Sequence, residues 1–148
     1  MDAATELAQA SAKAMYDADD ASRALGIEID DVHPGRALAR LRVGPSMVNG
    51  HRIAHGGYVF LLADTAFAFA CNTYGAPVVA RSAEITFVAP VYEGDQLVAT
   101  AVERHRRGRS GIYDVTVRRT GGSAVADPGD PGEIVAEFRG HSRELRRG

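Results

Sequence analysis

Residues 58–70 run Tyr-Val-Phe-Leu-Leu-Ala-Asp-Thr-Ala-Phe-Ala-Phe-Ala, thirteen positions with a single charge, Asp64. The run is too long and too rich in Ala and Leu for one strand. Its apolar side chains fall on nearly every side of a helix, which is how a buried helix reads. Spanning a bilayer takes about 20 apolar residues, so this run is too short for that, and no membrane role is expected. Whatever the chain folds into must therefore wrap this helix with another layer.

The rest of the sequence supplies that layer. Segments 78–88, 96–106, 110–119 and 133–144 are strand candidates. Segment 36–43 alternates, with Ala37, Ala39, Leu41 and Val43 on one face. The connections around Gly94-Asp95 and Gly108 are short, and short connections favour antiparallel hairpins. Residues 5–17 are Ala-rich and predict a short helix within an N-terminal helical segment, 1–24, with an extended segment starting at Ala24. Residues 120–132 hold Gly121-Gly122 and a repeated Asp-Pro-Gly, which predicts a surface loop. The expectation is one α+β domain over residues 1–148: a buried helix against an antiparallel sheet.

Composition narrows the function. The net charge of −2 argues against a general affinity for nucleic acid or anionic membranes. Cys71 is the one cysteine, so there is no intrachain disulfide and no Cys-rich metal site. The N-terminus is acidic and lacks a basic, apolar leader, so a reduced, cytoplasmic setting is expected. His51 and His105 have no ligand-like spacing, and His33 and His141 read as surface residues, so no metal is expected.

Asp64 is the anomaly. Its neighbours one turn away are Phe60, Leu61, Phe67 and Ala68. A carboxylate there must be paired, protonated or facing a cavity. It either caps a neighbouring element or faces solvent, or it is a catalytic group whose pKa is raised at the floor of an apolar pocket. His55-Gly56-Gly57 stands just before the helix. Either the glycines serve a tight turn, or they place N–H donors at a helix N-terminus where an oxyanion would be stabilised. Asp64 follows His55 by nine residues, about two and a half turns. Within one chain that carboxylate cannot meet a carbonyl bound at the N-terminus. A second subunit packed antiparallel would bring the two together.

The run Met47-Val48-Asn49-Gly50-His51-Arg52-Ile53-Ala54-His55-Gly56-Gly57, followed by Leu62-Ala63-Asp64-Thr65-Ala66-Phe67-Ala68, resembles the hotdog-fold acyl-CoA thioesterases, in the PaaI-like branch tied to phenylacetic acid degradation. The likeness continues through Ile85-Thr86-Phe87, Gly94-Asp95, Tyr113-Asp114-Val115 and Phe138-Arg139-Gly140. The resemblance implies a hotdog fold, an antiparallel sheet wrapped around one long central helix. It implies hydrolysis of an acyl-CoA thioester, with phenylacetyl-CoA or hydroxyphenylacetyl-CoA as first choice. Medium-chain or other aryl acyl-CoAs are the alternative.

By the same resemblance, Asp64 acts as general base or nucleophile. Gly57, with Gly56 as second choice, gives the N–H that polarises the carbonyl, and Asn49 and His55 line the pocket. Thr65 and Gly56 belong to the substrate-binding set. A related branch carries Ser or Thr early in the strand after the helix. Ala80 matches that position, and Ser82, two residues on, is expected on the same face. No cofactor is implied, CoA being part of the substrate. The assembly implied is a homo-oligomer, a dimer of dimers with the active site shared between subunits.

Other residues carry less. The run Arg104-His105-Arg106-Arg107-Gly108-Arg109 reads as a solvated hairpin tip or, through Arg106, Arg107 and Arg109, as a holder of CoA phosphates. Cys71 reads as a core residue. Ser110 and Ser142 lack the context of a serine nucleophile. Two competing functions share the fold: a hydratase, whose Asp-x-x-x-x-His signature is missing, and a non-catalytic acyl-CoA binder, which would have no need of Asp64.

Overall fold

Alternation in the strand segments and uniform apolarity in the central one lead to the same architecture in a computed structural model, which describes residues 1–120 and 131–145. The elements are α1 (Ala3–Ala18), α2 (Asp20–Leu25), β1 (Glu28–His33), β2 (Arg36–Arg42), α3 (Gly56–Cys71), β3 (Val78–Phe87), β4 (Gln96–Arg107), β5 (Ser110–Thr120) and β6 (Glu133–Glu144). Except for its ends, the expected surface loop 120–132 lies outside the described residues.

The six strands form one antiparallel sheet in the order β1-β2-β4-β5-β6-β3. After β2 the chain crosses the sheet as α3 and returns at the far edge as β3. The hairpin β4–β5 then fills the middle. This is the hotdog arrangement, a sheet wrapped on one central helix. The alternation in β2 holds, since Ala37, Ala39 and Leu41 are buried beneath α3 while Arg40 and Arg42 are exposed. In β5, Tyr113, Val115 and Val117 do the same from the centre of the sheet.

At one point helix and sheet approach unusually closely. A Cβ on Gly140 of β6 would stand 2.7 Å from the Phe67 ring, so the missing side chain lets that ring lie on the strand. Phe67 is also near Tyr113 and Phe138, with ring centroids 5.6 and 5.8 Å away. The C-terminal end of α3 is fastened by polar side chains. Asn72 Nδ2 donates to the Val78 carbonyl and Asn72 Oδ1 accepts from the Val78 N–H, both at 2.9 Å. Tyr74 and Tyr113 both donate to Glu103 Oε1, at 2.9 and 3.0 Å.

Three local readings change. The N-terminal segment is two helices, because Asp19 ends α1 and its carboxylate caps α2 by accepting from the Ser22 N–H at 3.0 Å. The chain stays helical to Leu25, is turned by Gly26 at φ 78°, and becomes extended only at Glu28. The third concerns α3, which is not buried all round. Phe60, Leu61, Asp64 and Ala68 are only half-buried and form one stripe along it.

Candidate active site

Asp64 sits midway along that open stripe. No hydrogen bond or ion pair reaches its carboxylate among the described residues. Burial raises its pKa above the ordinary carboxylate value, with no positive group to offset it. Phe60, one turn before, meets Phe138 edge-on at 5.5 Å, so the carboxylate has an aromatic wall at its side. Thr65, expected beside the substrate, is buried.

The N-terminus of α3 is built by the loop before it. Asn49 Oδ1 accepts from the N–H groups of His51 and Ile53 at 2.9 and 3.3 Å, which closes the loop. The Asn49 amide NH2 has no partner among the described residues. His55 is the N-cap of α3, and its Nδ1 accepts from the Gly57 N–H at 3.0 Å. That bond changes the reading of the glycines, because the Gly57 N–H, the first choice as carbonyl donor, is already engaged. The Gly56 N–H has no partner among the described residues and stands at the first position of the helix, where the positive end of the dipole adds to it.

Beside Gly56 lies an apolar cavity of about 400 Å³, lined among others by Ile53, Val59, Phe87, Val88 and Val135. The Phe87 ring covers the glycine so closely that a Cβ there would stand 3.0 Å from it. One free donor thus opens on an apolar chamber, which suits a polarised carbonyl attached to a hydrophobic group.

Other expected residues do not converge. Ser82 is expected on the face of Ala80, but Arg81 is an extra residue that bulges the strand. Ala80 pairs with Ser142 and Ser82 with His141, one step on, so the two face opposite sides of the sheet. Ser82 points away from α3. The arginine run also divides. Arg106 lies over the Tyr74 ring at 3.6 Å on the helix side. Arg109 donates to the Glu144 carbonyl at 3.1 and 3.3 Å. Of the three arginines assigned to CoA phosphates, Arg107 is the one that lines a cavity on the outer face. Cys71 is buried, and its thiol is pushed up to about 12, mainly by burial, which makes it an inert packing residue.

Among the described residues, no group of three or more His, Cys, Asp or Glu gathers to hold a metal, and no helix is long and apolar enough to cross a membrane. Sequence reasoning ranks Gly57 before Gly56. The histidine two residues before Gly57 is a side chain placed to cap the second glycine, and its Nδ1 does accept the Gly57 N–H.

Comparison with known proteins matches residues 51–126 to the family described as the thioesterase superfamily. The chain is 40% identical over 135 residues to the acyl-coenzyme A thioesterase PaaI of Escherichia coli strain K12, covering 91% of this chain and 89% of that one. It superimposes on the structure of the E. coli PaaI protein from the phenylacetic acid degradation operon with a TM-score of 0.88 and 38% identity, over 97% of both chains. A point mutant of the phenylacetic acid degradation protein PaaI from Thermus thermophilus matches with a TM-score of 0.76 and 34% identity, over 86% of this chain and all of that one.

Proposed function

Since this chain belongs to the thioesterase superfamily and is a thioesterase, we propose that it hydrolyses acyl-CoA thioesters, using Asp64 of one subunit and the Gly56 N–H of its partner. The observation that carries this reading is Asp64 itself. An unpartnered, half-buried carboxylate on an apolar stripe costs stability and is retained where it has chemistry to do.

The steps follow from the groups present. The thioester carbonyl oxygen accepts from the Gly56 N–H, and the acyl group occupies the apolar cavity beside it. Asp64 takes a proton from water, and the water oxygen bonds to the carbonyl carbon. The negative charge moves onto the carbonyl oxygen, where the helix N-terminus stabilises it. Collapse breaks the C–S bond, and the proton passes to the CoA sulfur. Direct attack by Asp64, through an anhydride that water then opens, uses the same geometry. The Asn49 amide and His55, in the loop that leads into α3, orient the thioester in this reading. The reaction draws on no cofactor. Phenylacetyl-CoA and its ring-hydroxylated relatives are the first substrates to test, because two of the similar proteins are named for phenylacetic acid degradation.

Sharing of the site between subunits is supported by two features. Gly56 and Asp64 are eight positions apart on the helix, about 12 Å of rise, too far for one bound carbonyl to meet both. β3 lies at the sheet edge with all ten residues at least partly exposed, Val79 and Phe87 among them, and such an edge invites a second strand. Pairing of two β3 edges would extend the sheet and lay the half-open stripes of two helices side by side, antiparallel. Two such dimers would then form the expected tetramer.

Mixing two inactive variants tests both the chemistry and the sharing. Refolding Asp64→Asn with Gly56→Val should restore about a quarter of the wild-type thiol release, since half the random dimers are mixed and each has one intact site. No restoration, with both variants folded and oligomeric, would place the whole site in a single chain.

A further inference from the structure

The outer face of the sheet, opposite α3, holds a second constellation. Through β3, β6, β5 and β4 the cross-strand register aligns Ser82, His141, Ile112 and His105 in one row. Arg107 and Ser110 pair in the neighbouring row on the same face, and the bulged Arg81 stands next to Ser82. Together Arg81, Ser82, His105, Arg107, Ser110 and His141 line a cavity of about 530 Å³ whose lining contains no carboxylate.

Charge compensation distinguishes this cavity from the rest of the face. In the middle of the same face, Arg139 donates to both oxygens of Asp114 at 2.6 and 2.9 Å, and Arg104 lies 3.4 Å from that carboxylate. Arg81 and Arg107 have no acidic partner among the described residues. Ser110 Oγ accepts from Arg143 at 3.1 Å, which leaves its hydroxyl proton to donate elsewhere. Two guanidinium forks, two imidazoles and two serine hydroxyls therefore converge on a concave space with donors in excess and no anion.

We propose that this outer cavity is a binding site for a phosphate group. Guanidinium forks match phosphate oxygens in geometry, and hydroxyl and imidazole N–H groups complete the set. The assignment stands apart from the acyl-CoA reading. Only one of its two sources, the phosphates at the nucleotide end of CoA, rests on that reading; the other is free phosphate or another phosphorylated molecule.

Calorimetry on the intact oligomer tests the site without any turnover, so an enzyme that failed to hydrolyse every acyl-CoA would leave the result standing. The probes are inorganic phosphate and CoA. Wild type should bind phosphate, and the double variant Arg81→Gln/Arg107→Gln should bind it at least about tenfold more weakly. Arg104→Gln, at a compensated position of the same face, should match wild type. Parallel loss of CoA affinity in the double variant identifies the nucleotide end of CoA as the source. Unchanged CoA affinity with lost phosphate binding identifies a separate phosphorylated ligand. Absence of phosphate binding to wild type, or equal binding by wild type and the double variant, overturns the proposal.

Discussion

His55 Nδ1 accepts the Gly57 N–H at 3.0 Å, so the first turn of α3 is closed by the imidazole of its own N-cap residue. The bond both starts the helix and leaves Gly56 as the glycine with an open donor. Stability and chemistry at this terminus are therefore separable by mutation.

His55→Ala should lose the cap and about 1 kcal/mol of stability. His55→Asn and His55→Ser restore an acceptor and should recover most of that loss without recovering full turnover. Denaturant midpoints beside thiol-release rates check this. Equal stability of the Ala and Asn variants would show that the cap contributes nothing.

Gly56→Ala should lower turnover by at least about tenfold, because its Cβ would press on Phe87 at 3.0 Å and crowd the carbonyl off the donor. Gly57→Ala meets the His55 ring at 3.1 Å and should act mainly on stability. Kinetics and melting curves of the two variants, run side by side, separate the effects. A larger kinetic loss at Gly57 would restore that residue as the donor.

Asp64→Asn should reduce thiol release from acyl-CoA by about 10²-fold or more while keeping substrate affinity. A panel of phenylacetyl-, hydroxyphenylacetyl-, benzoyl-, hexanoyl- and acetyl-CoA then ranks the acyl groups. Retained turnover in the variant would remove Asp64 from the mechanism.

The same carboxylate predicts a pH dependence of stability. Burial raises its pKa in the folded state. Between the unfolded and folded pKa values the native state holds more protons, so its contribution to stability falls as pH rises through that window. Asp64→Asn should therefore melt above wild type at neutral pH. The gap should close as pH drops toward the unfolded value near ~3.9. Melting curves from neutral to mildly acidic pH test this, and a constant gap would mean that ionisation of Asp64 is not its cause. In kinetics, the acid limb of kcat/KM should lie above the ordinary carboxylate range.

Cys71 should resist thiol reagents in the native protein at pH 8, since its thiol is held at about 12, and react at once in denaturant. Rapid native labelling would contradict its place in the core.

Much of this is legible in the chain. Period-2 alternation in 36–43 marks the buried face of β2. A thirteen-residue run, apolar but for Asp64 and Thr65, marks both the central helix and its odd residue. What escapes is what a single strand cannot encode. Arg81 adds one residue to β3, and this one-residue slip carries Ser82 from the helix side to the outer side, a displacement visible only against the register of β6. The arginines after Arg104 fall within four positions, 106–109, yet alternation and the Gly108 turn send them to a tyrosine ring, an outer cavity and a backbone carbonyl. His105 and His141 look unrelated in sequence because they belong to strands that meet only through Ile112. α3 reads as apolar on every side, whereas within a single chain one stripe of it stays open.

The seat of Phe67 on Gly140 ties two distant positions into one heritable unit. A side chain at 140 overpacks the ring at a cost of about 1–3 kcal/mol, and a smaller residue at 67 above glycine leaves a void. A lineage that alters either position alone passes through a weakened protein, so glycine at 140 is expected to persist for as long as phenylalanine stands at 67.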